Sequence, residues 1–239
     1  MRQAMILAAG RGERMRPLTD HTPKPLQCVH GKPLIVWQIE GLRAAGFTDL
    51  VINHAWLGEQ IEALVGDGAR FGVRVRWSRE GVALGTAGGV ATALHLLTEP
   101  EFLVVSADIF TNFWTLWGQT PHGVRPLPGS APMGGLTPSD EVHLVLVDEP
   151  SVKTDFSLKD GRVIAAGHKA LTYGNIGFFR RSFFATTEPG KTAELGPLLH
   201  QAVARGTVSG ELFTGQWANV GSAEDLARLN STPIFKGMT

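Results

Sequence analysis

Residues 4–14, Ala-Met-Ile-Leu-Ala-Ala-Gly-Arg-Gly-Glu-Arg, constrain the fold of this chain more than any other stretch. A short apolar run ending in small residues predicts a buried strand, and Gly10 and Gly12 free the backbone just past its end. In such a turn successive N–H groups converge on an anion. Arg11, Arg14, Arg16 and, within Thr22-Pro23-Lys24-Pro25, Lys24 place positive charge around the same point. The pattern reads as a cradle for a polyphosphate; a strand-to-helix turn with solvated arginines is the plainer alternative.

Two well-known phosphate loops are excluded. No Gly-Lys-Ser/Thr follows Gly12, so the loop is not of the Walker A type. A dinucleotide fingerprint needs a third glycine where this chain has Met15.

Around this start, strand and helix patterns alternate. Helices are predicted over Pro33–Ala45, Glu59–Val65 and Gly89–Leu97, and strands over Leu50–Asn53, Gly72–Trp77 and Phe102–Ser106. Alternation of this kind implies right-handed crossovers and an α/β fold, a Rossmann-like three-layer α/β/α arrangement on a mixed, mainly parallel sheet. Ligands of such sheets sit at the carboxyl ends of the strands, where the Gly10 turn and Asp108 should meet.

From Gly118 to Asp140 glycine and proline interrupt any regular pattern, predicting an irregular loop or lid. Beyond it, strands are predicted at Val142–Val147, on both sides of the Asp160-Gly161 turn, at Tyr173–Phe179 and at Thr207–Phe213. Helices are predicted at Glu194–Arg205 and Ser222–Leu229. The second half reads as an antiparallel extension of the first sheet, making 1–239 one domain in two parts, 1–117 and 141–239, on either side of the irregular loop.

The 239 residues carry 22 basic and 22 acidic side chains, so no global field favours nucleic acid or anionic membrane. The one cysteine, Cys28, rules out an internal disulfide, suits a reducing compartment and reads as buried filler. The first apolar run is shorter than a signal-peptide core, and no stretch has the length of a membrane span. A cytoplasmic monomer or small homo-oligomer, without nucleic-acid or membrane partners, is the expectation.

Leu7-Ala-Ala-Gly-Arg-Gly-Glu-Arg-Met15 with Pro23-Lys24-Pro25 resembles the signature of sugar-phosphate nucleotidylyltransferases. The resemblance continues in order through Leu84-Gly-Thr-Ala-Gly-Gly89, Ala107-Asp108, Asn175-Ile-Gly177 and Trp217-Ala-Asn-Val-Gly221. Val51–Gly58 and Ala204–Glu211 are most similar to the members that act on N-acetylmuramate 1-phosphate. The resemblance implies attack by a sugar 1-phosphate on the α-phosphorus of UTP, with Mg²⁺ as cofactor. It implies that Arg14 steadies the departing phosphates and Lys24 the meeting point of the two substrates, and that Asp108, with Asn219 where many relatives carry Asp, holds the metal. Nucleotide contacts are implied for Leu7, Ala8, Ala9, Gly10, Gly12, Glu80, Gly85 and Gly88, and sugar contact for Asn175. Lys169 is nominated for the lactyl carboxylate of muramate.

Residue types alone leave four points open. A Glu at position 80 also suits guanine, so a mannose- or hexose-1-phosphate guanylyltransferase is the alternative, with a non-catalytic sugar-nucleotide sensor behind it. Asp108 could instead cap a short helix near Thr111–Trp117. Thr86-Ala87-Gly88-Gly89 could be a helix start chosen for close packing, and Tyr173, Trp114 and Trp117 could be core or pocket wall.

Overall fold

A computed structural model describes residues 2–115, 136–149, 154–167 and 169–238. Trp117 and the greater part of the 118–140 loop lie outside the described residues.

The opening run forms β1 (Arg2–Leu7), and its alternating side chains enter two different cores. Ala4 and Ile6 face one side of the sheet while Met5 faces the other, as a strand buried on both faces requires. Helix α1 (Leu34–Ala44), β2 (Phe47–His54), α2 (Gly58–Val65) and β3 (Arg74–Arg79) carry the chain outward on one side of β1. Helix α3 (Gly85–Ala93) then returns it across β1 to β4 (Glu101–Ser106). These four strands are parallel, in the order β3-β2-β1-β4. The chain therefore reverses its direction of winding between β1 and β4, and a crevice opens beyond their carboxyl ends.

The second half continues the same sheet. After a short strand β5 (Ile109–Thr111) come β6 (Val142–Val147), β7 (Phe156–Lys159), β8 (Arg162–Ala165) and β9 (Thr172–Arg180). Helix α4 (Leu195–Ala204), β10 (Val208–Phe213), β11 (Trp217–Asn219) and α5 (Ala223–Ser231) complete it. The sheet has nine strands in the order β3-β2-β1-β4-β9-β6-β10-β8-β7, and β5 and β11 form a separate antiparallel ribbon. Strand β9 runs antiparallel to β4 and β6, but β10 is parallel to β6, so the extension is mixed where an antiparallel one was expected.

Side chains of α1 and α2, including Ile35, Ile39, Leu42, Ile61 and Val65, pack on one face of the sheet. Those of α3 and α4, including Ala87, Val90, Leu195 and Leu199, pack on the other. A third core gathers Met15, Trp37, Phe110, Val220 and Leu229 beneath the glycine turn. Met15, fully buried, is thus the anchor of that turn.

Two local expectations are revised. Helix α3 begins at Gly85, four residues before the predicted Gly89, because Gly85 at φ +71° supplies the entry bend. Cys28 is exposed on a two-residue strand, not buried filler. At Asp160-Gly161 both residues have positive φ, as a tight hairpin turn of the predicted kind requires.

Candidate active site

The crevice between β1 and β4 is a cavity of about 370 Å³. Leu7, Ala8, Ala9, Gly10, Gly12, Glu13 and Arg14 from the first turn line it, with Lys24 and Pro25. Asn53, Ala83, Gly85 and Thr86 form another wall, and Ser106, Ala107, Asp108, Glu194 and Gly221 close it.

Local sequence explains how each group arrives. Gly12 adopts φ +70°, and a Cβ there would lie 3.0 Å from Thr19 Cγ2 and 3.2 Å from Lys24 Cβ. Its carbonyl accepts from the Met15 N–H and the Thr19 hydroxyl, closing the turn. At Gly10 a Cβ would meet none of the described residues, so the backbone there is open to a ligand. Lys24 starts a short 3₁₀ turn between Pro23 and the buried Pro25. Its ammonium lies 2.6 Å from Asp108 Oδ2, with the lysine side chain 12% and the aspartate 27% exposed.

Asp108 does not cap a helix; its other oxygen, Oδ1, is buried and makes no hydrogen bond among the described residues. Asn219 Oδ1 is likewise buried without a partner among them. The two residues are neighbours, because Asn219 faces Ile109 across the β5–β11 ribbon and the Val220 N–H donates to the Asp108 carbonyl. Two orphaned oxygens, one from a carboxylate and one from an amide, fit a Mg²⁺ ion that takes few protein ligands and completes its shell with phosphate and water.

The arginines divide. Arg14 reaches Gly221, where a Cβ would lie 3.0 Å from its Nη2, and it lines the cavity. Arg11 is turned away: it donates to the Thr19 carbonyl and Asp20 and stacks 3.7 Å over Trp56. Arg16 pairs with Asp20 at 2.8 Å and with Glu13. The cationic cradle is therefore Arg14 and Lys24, not four side chains.

Glu80 and Gly88 do not belong to the lining. Glu80 is 7% exposed and lies behind the wall, where Oε1 accepts from Asn53 Nδ2 at 2.7 Å and Oε2 from the Leu84 N–H at 3.1 Å. Burial raises its pKa, and these two hydrogen bonds offset the rise only in part. Asn53 in turn accepts from the Ala8 N–H at 2.9 Å, and the Leu7 carbonyl accepts from Ala107, so these two backbone groups are occupied within the protein. A Cβ at Gly88 would lie 2.2 Å from the Lys191 carbonyl; this glycine serves the close packing of α3 on residues 191–193. Gly85 does line the cavity, beside the Glu194 carboxylate. Asn53 and Glu194 are among the cavity residues that sequence reading passed over. Each sits at the end of a regular element, where it reads as strand terminus or helix start.

A second cavity, of about 580 Å³, shares Arg14 and Gly221 with the first. Glu149, Trp217, Asn219, Asp225, Arg228 and the segment Thr232–Phe235 complete most of its wall. Asn175 adopts φ +55° where the pairing of β9 with β6 shifts register, and it lines neither cavity. Lys169 is exposed before β9, also outside both, and its carbonyl accepts from Ser157. Trp114 is core: its indole N–H donates to Gln38 and its ring packs on Gly41.

Comparison with known proteins bears on this arrangement. The nucleotidyl transferase family matches residues 3–116. The N-acetylmuramate alpha-1-phosphate uridylyltransferase of Neisseria meningitidis serogroup B is 45% identical over 98% of both chains. A mannose-1-phosphate guanyltransferase beta-B of Xenopus laevis is 38% identical, but over 46% of this chain and 32% of its own. The inositol-1-phosphate CTP transferase of T. maritima superposes with a TM-score of 0.71 over 97% of each chain at 16% identity, a likeness of fold alone.

Proposed function

The chain belongs to the nucleotidyl transferase family, and from that membership we propose a specific reaction. It transfers the uridylyl group of UTP to N-acetylmuramate 1-phosphate, giving UDP-N-acetylmuramate and pyrophosphate. The bond from a sugar-phosphate oxygen to the α-phosphorus forms, the α–β bridge breaks, and pyrophosphate leaves with its electron pair. The observation that carries this reading is the convergence of Arg14, Lys24 and Asp108, from three separate segments, on one cavity at the carboxyl ends of β1 and β4. The near-complete span of the Neisseria similarity favours UTP and muramate over the guanylyltransferase alternative, whose relative matches less than half of the chain.

The chemistry asks little proton transfer of the protein. A phosphate monoester has a second pKa of about 6, so the nucleophile is ionised at neutral pH. What remains is to bring two polyanions together and to neutralise charge between them. Lys24 does this where the two phosphates meet, and Arg14 steadies the departing pair. Asp108 and Asn219 would hold Mg²⁺, which when bound would neutralise phosphate charge. The open backbone at Gly10, in the turn that Gly12 closes, receives the triphosphate, and Leu7, Ala8, Ala9 and Gly85 flank the nucleoside. The sugar belongs in the second cavity, which adjoins the first at Arg14 and Gly221. There Arg228 is better placed than Lys169 for a lactyl carboxylate, with Asn175 outside the lining. Such an enzyme serves a cytoplasmic pathway that recycles cell-wall sugar. No helix among the described residues is long and apolar enough to cross a membrane.

The test is pyrophosphate release over a matrix of UTP, dTTP and GTP with muramate, glucosamine, glucose and mannose 1-phosphates. Turnover highest for UTP with N-acetylmuramate 1-phosphate supports the proposal; turnover highest for GTP with mannose 1-phosphate, or none, refutes it.

A further inference from the structure

Behind the cavity wall, four groups form a hydrogen-bonded line whose direction is fixed at both ends. At one end the Ala8 N–H can only donate, so the Asn53 side chain must turn its carbonyl oxygen to it, at 2.9 Å. That leaves the Asn53 amide NH₂ pointing at position 80. At the other end the Leu84 N–H, just before α3, also points at position 80, at 3.1 Å. Two donors facing one buried side chain require an acceptor that has no hydrogens of its own. A carboxylate satisfies that demand, and a glutamine presents a third donor in one of the two directions.

We propose that Glu80 is a positioning residue, an acceptor-only hub that locks the Ala8 backbone on one wall of the cavity to the start of α3 on the other. The inference rests on the reading of this cavity as the nucleotide site, and it assigns to Glu80 an action through Asn53, not a contact with the base. The packing agrees. A Cβ at Gly89 would lie 2.8 Å from Asn53 Nδ2 and 2.9 Å from Glu80 Oε1, so the helix sits directly on the pair and leaves no slack for either to turn. The carboxylate stays buried with an amide and a backbone N–H as its partners, a cost tolerated because both of its oxygens are engaged.

Exchanging the two residue types keeps the polarity of the line. In the Glu80→Gln/Asn53→Asp double variant, the new carboxylate at position 53 accepts both from the Ala8 N–H and from the new amide NH₂ at position 80. The amide carbonyl at position 80 then accepts from the Leu84 N–H. Every group is again satisfied, with the charge moved one step along the line. The experiment measures KM and kcat with UTP and with dTTP, and Tm, for the two single variants and the double variant. Glu80→Gln is expected to raise KM about tenfold for both nucleotides alike with kcat within about twofold, since one buried donor is left unmatched. Asn53→Asp alone is expected to be worse, because two carboxylates then face each other. The double variant should recover to within about threefold of the original KM and regain most of the lost Tm. A change in the UTP-to-dTTP preference of Glu80→Gln, or a double variant no better than the singles, overturns the proposal. If the unaltered protein turns over no nucleotide, the site reading fails on its own, and the Tm values alone decide whether the lock exists.

Discussion

Lys24 Nζ and Asp108 Oδ2 stand 2.6 Å apart, so the ammonium that should greet the phosphates holds the carboxylate that should hold the metal. A metal–triphosphate complex must therefore displace one charged group while attracting the other. Lys24→Met is expected to bind Mn²⁺, used as a spectroscopic probe for Mg²⁺, about tenfold more tightly without nucleotide. The same variant should lose roughly 10²–10³-fold in turnover, the usual effect of removing one preorganised charge at a reacting phosphate. Asp108→Asn should lose both metal binding and turnover. Titration of Mn²⁺ by electron paramagnetic resonance separates these cases, and an unchanged affinity in Lys24→Met would show that the pair does not guard the site.

The two glycines of the opening turn should fail in different ways. Gly12→Ala places a Cβ 3.0 Å from Thr19 Cγ2 at φ +70°, which costs about 1–2 kcal/mol and a drop of a few degrees in Tm. Gly10→Ala meets no described atom of the protein, so its Tm should stay unchanged while UTP affinity falls. Thermal melts with and without UTP and Mg²⁺ read both effects. A Gly10→Ala protein with unaltered UTP-induced stabilisation would show that nothing approaches that backbone.

Arg14 and Arg11 look alike in the sequence, yet one lines the cavity and the other is turned onto Thr19, Asp20 and Trp56. Arg14→Ala is expected to raise the UTP KM at least about tenfold, as loss of a charge-assisted phosphate contact does. Arg11→Ala removes the stack on Trp56 and the bonds to Thr19 and Asp20, so its main effect should be about 1 kcal/mol of stability. Steady-state kinetics and melts on both variants check the division.

That division marks where sequence reading stopped. The strand, the turn, the parallel core and the Asp108 position were legible because they follow from local pattern: an apolar run, glycines, and an acid just after a strand. Which arginine faces inward was not, because it depends on Asp20 and Trp56, and Trp56 comes from a different element. Glu80 is a related case. Its residue type suits a nucleobase, but its side chain is turned to Asn53 and the Leu84 N–H, which no spacing reveals. Asn175 was placed by resemblance and Lys169 by its nearness to Asn175 along the chain, and nearness along the chain does not fix which side chains line a cavity: neither residue lines either one.

Acid should unfold the protein partly through Asp49, whose carboxylate is 6% exposed. Burial alone would raise its pKa, but hydrogen bonds from Gln3, Arg74 and Arg76 outweigh that and hold it below the ordinary 3.8. A depressed carboxyl pKa contributes stability that is complete above the unfolded value and is lost as pH falls through the folded one. Asp49→Asn is expected to cost about 3 kcal/mol near pH 7, the low end for breaking a buried pair because Arg74 stays solvated. Its penalty should shrink as pH falls below the ordinary 3.8, where the unfolded carboxyl takes up its proton first and the native one, held lower, follows only at still lower pH. Urea denaturation across pH 3–7 tests the convergence of the two proteins at the acid end.

The choice of sugar should depend on Arg228. N-acetylmuramate differs from N-acetylglucosamine by a lactyl carboxylate, which a neighbouring guanidinium recognises in paired hydrogen bonds. Arg228 lines the second cavity with its Nη2 2.9 Å from Asp225 Oδ1, so it is oriented and still exposed on its other edge. Lys169 is exposed outside both cavities. Arg228→Ala should therefore lower kcat/KM for N-acetylmuramate 1-phosphate about tenfold or more, and leave N-acetylglucosamine 1-phosphate nearly unaffected. Lys169→Ala should change neither ratio. If Lys169→Ala alone erased the preference for muramate, the sugar would have to lie against the segment before β9 and not beneath α5, and the second cavity would be empty of the acceptor.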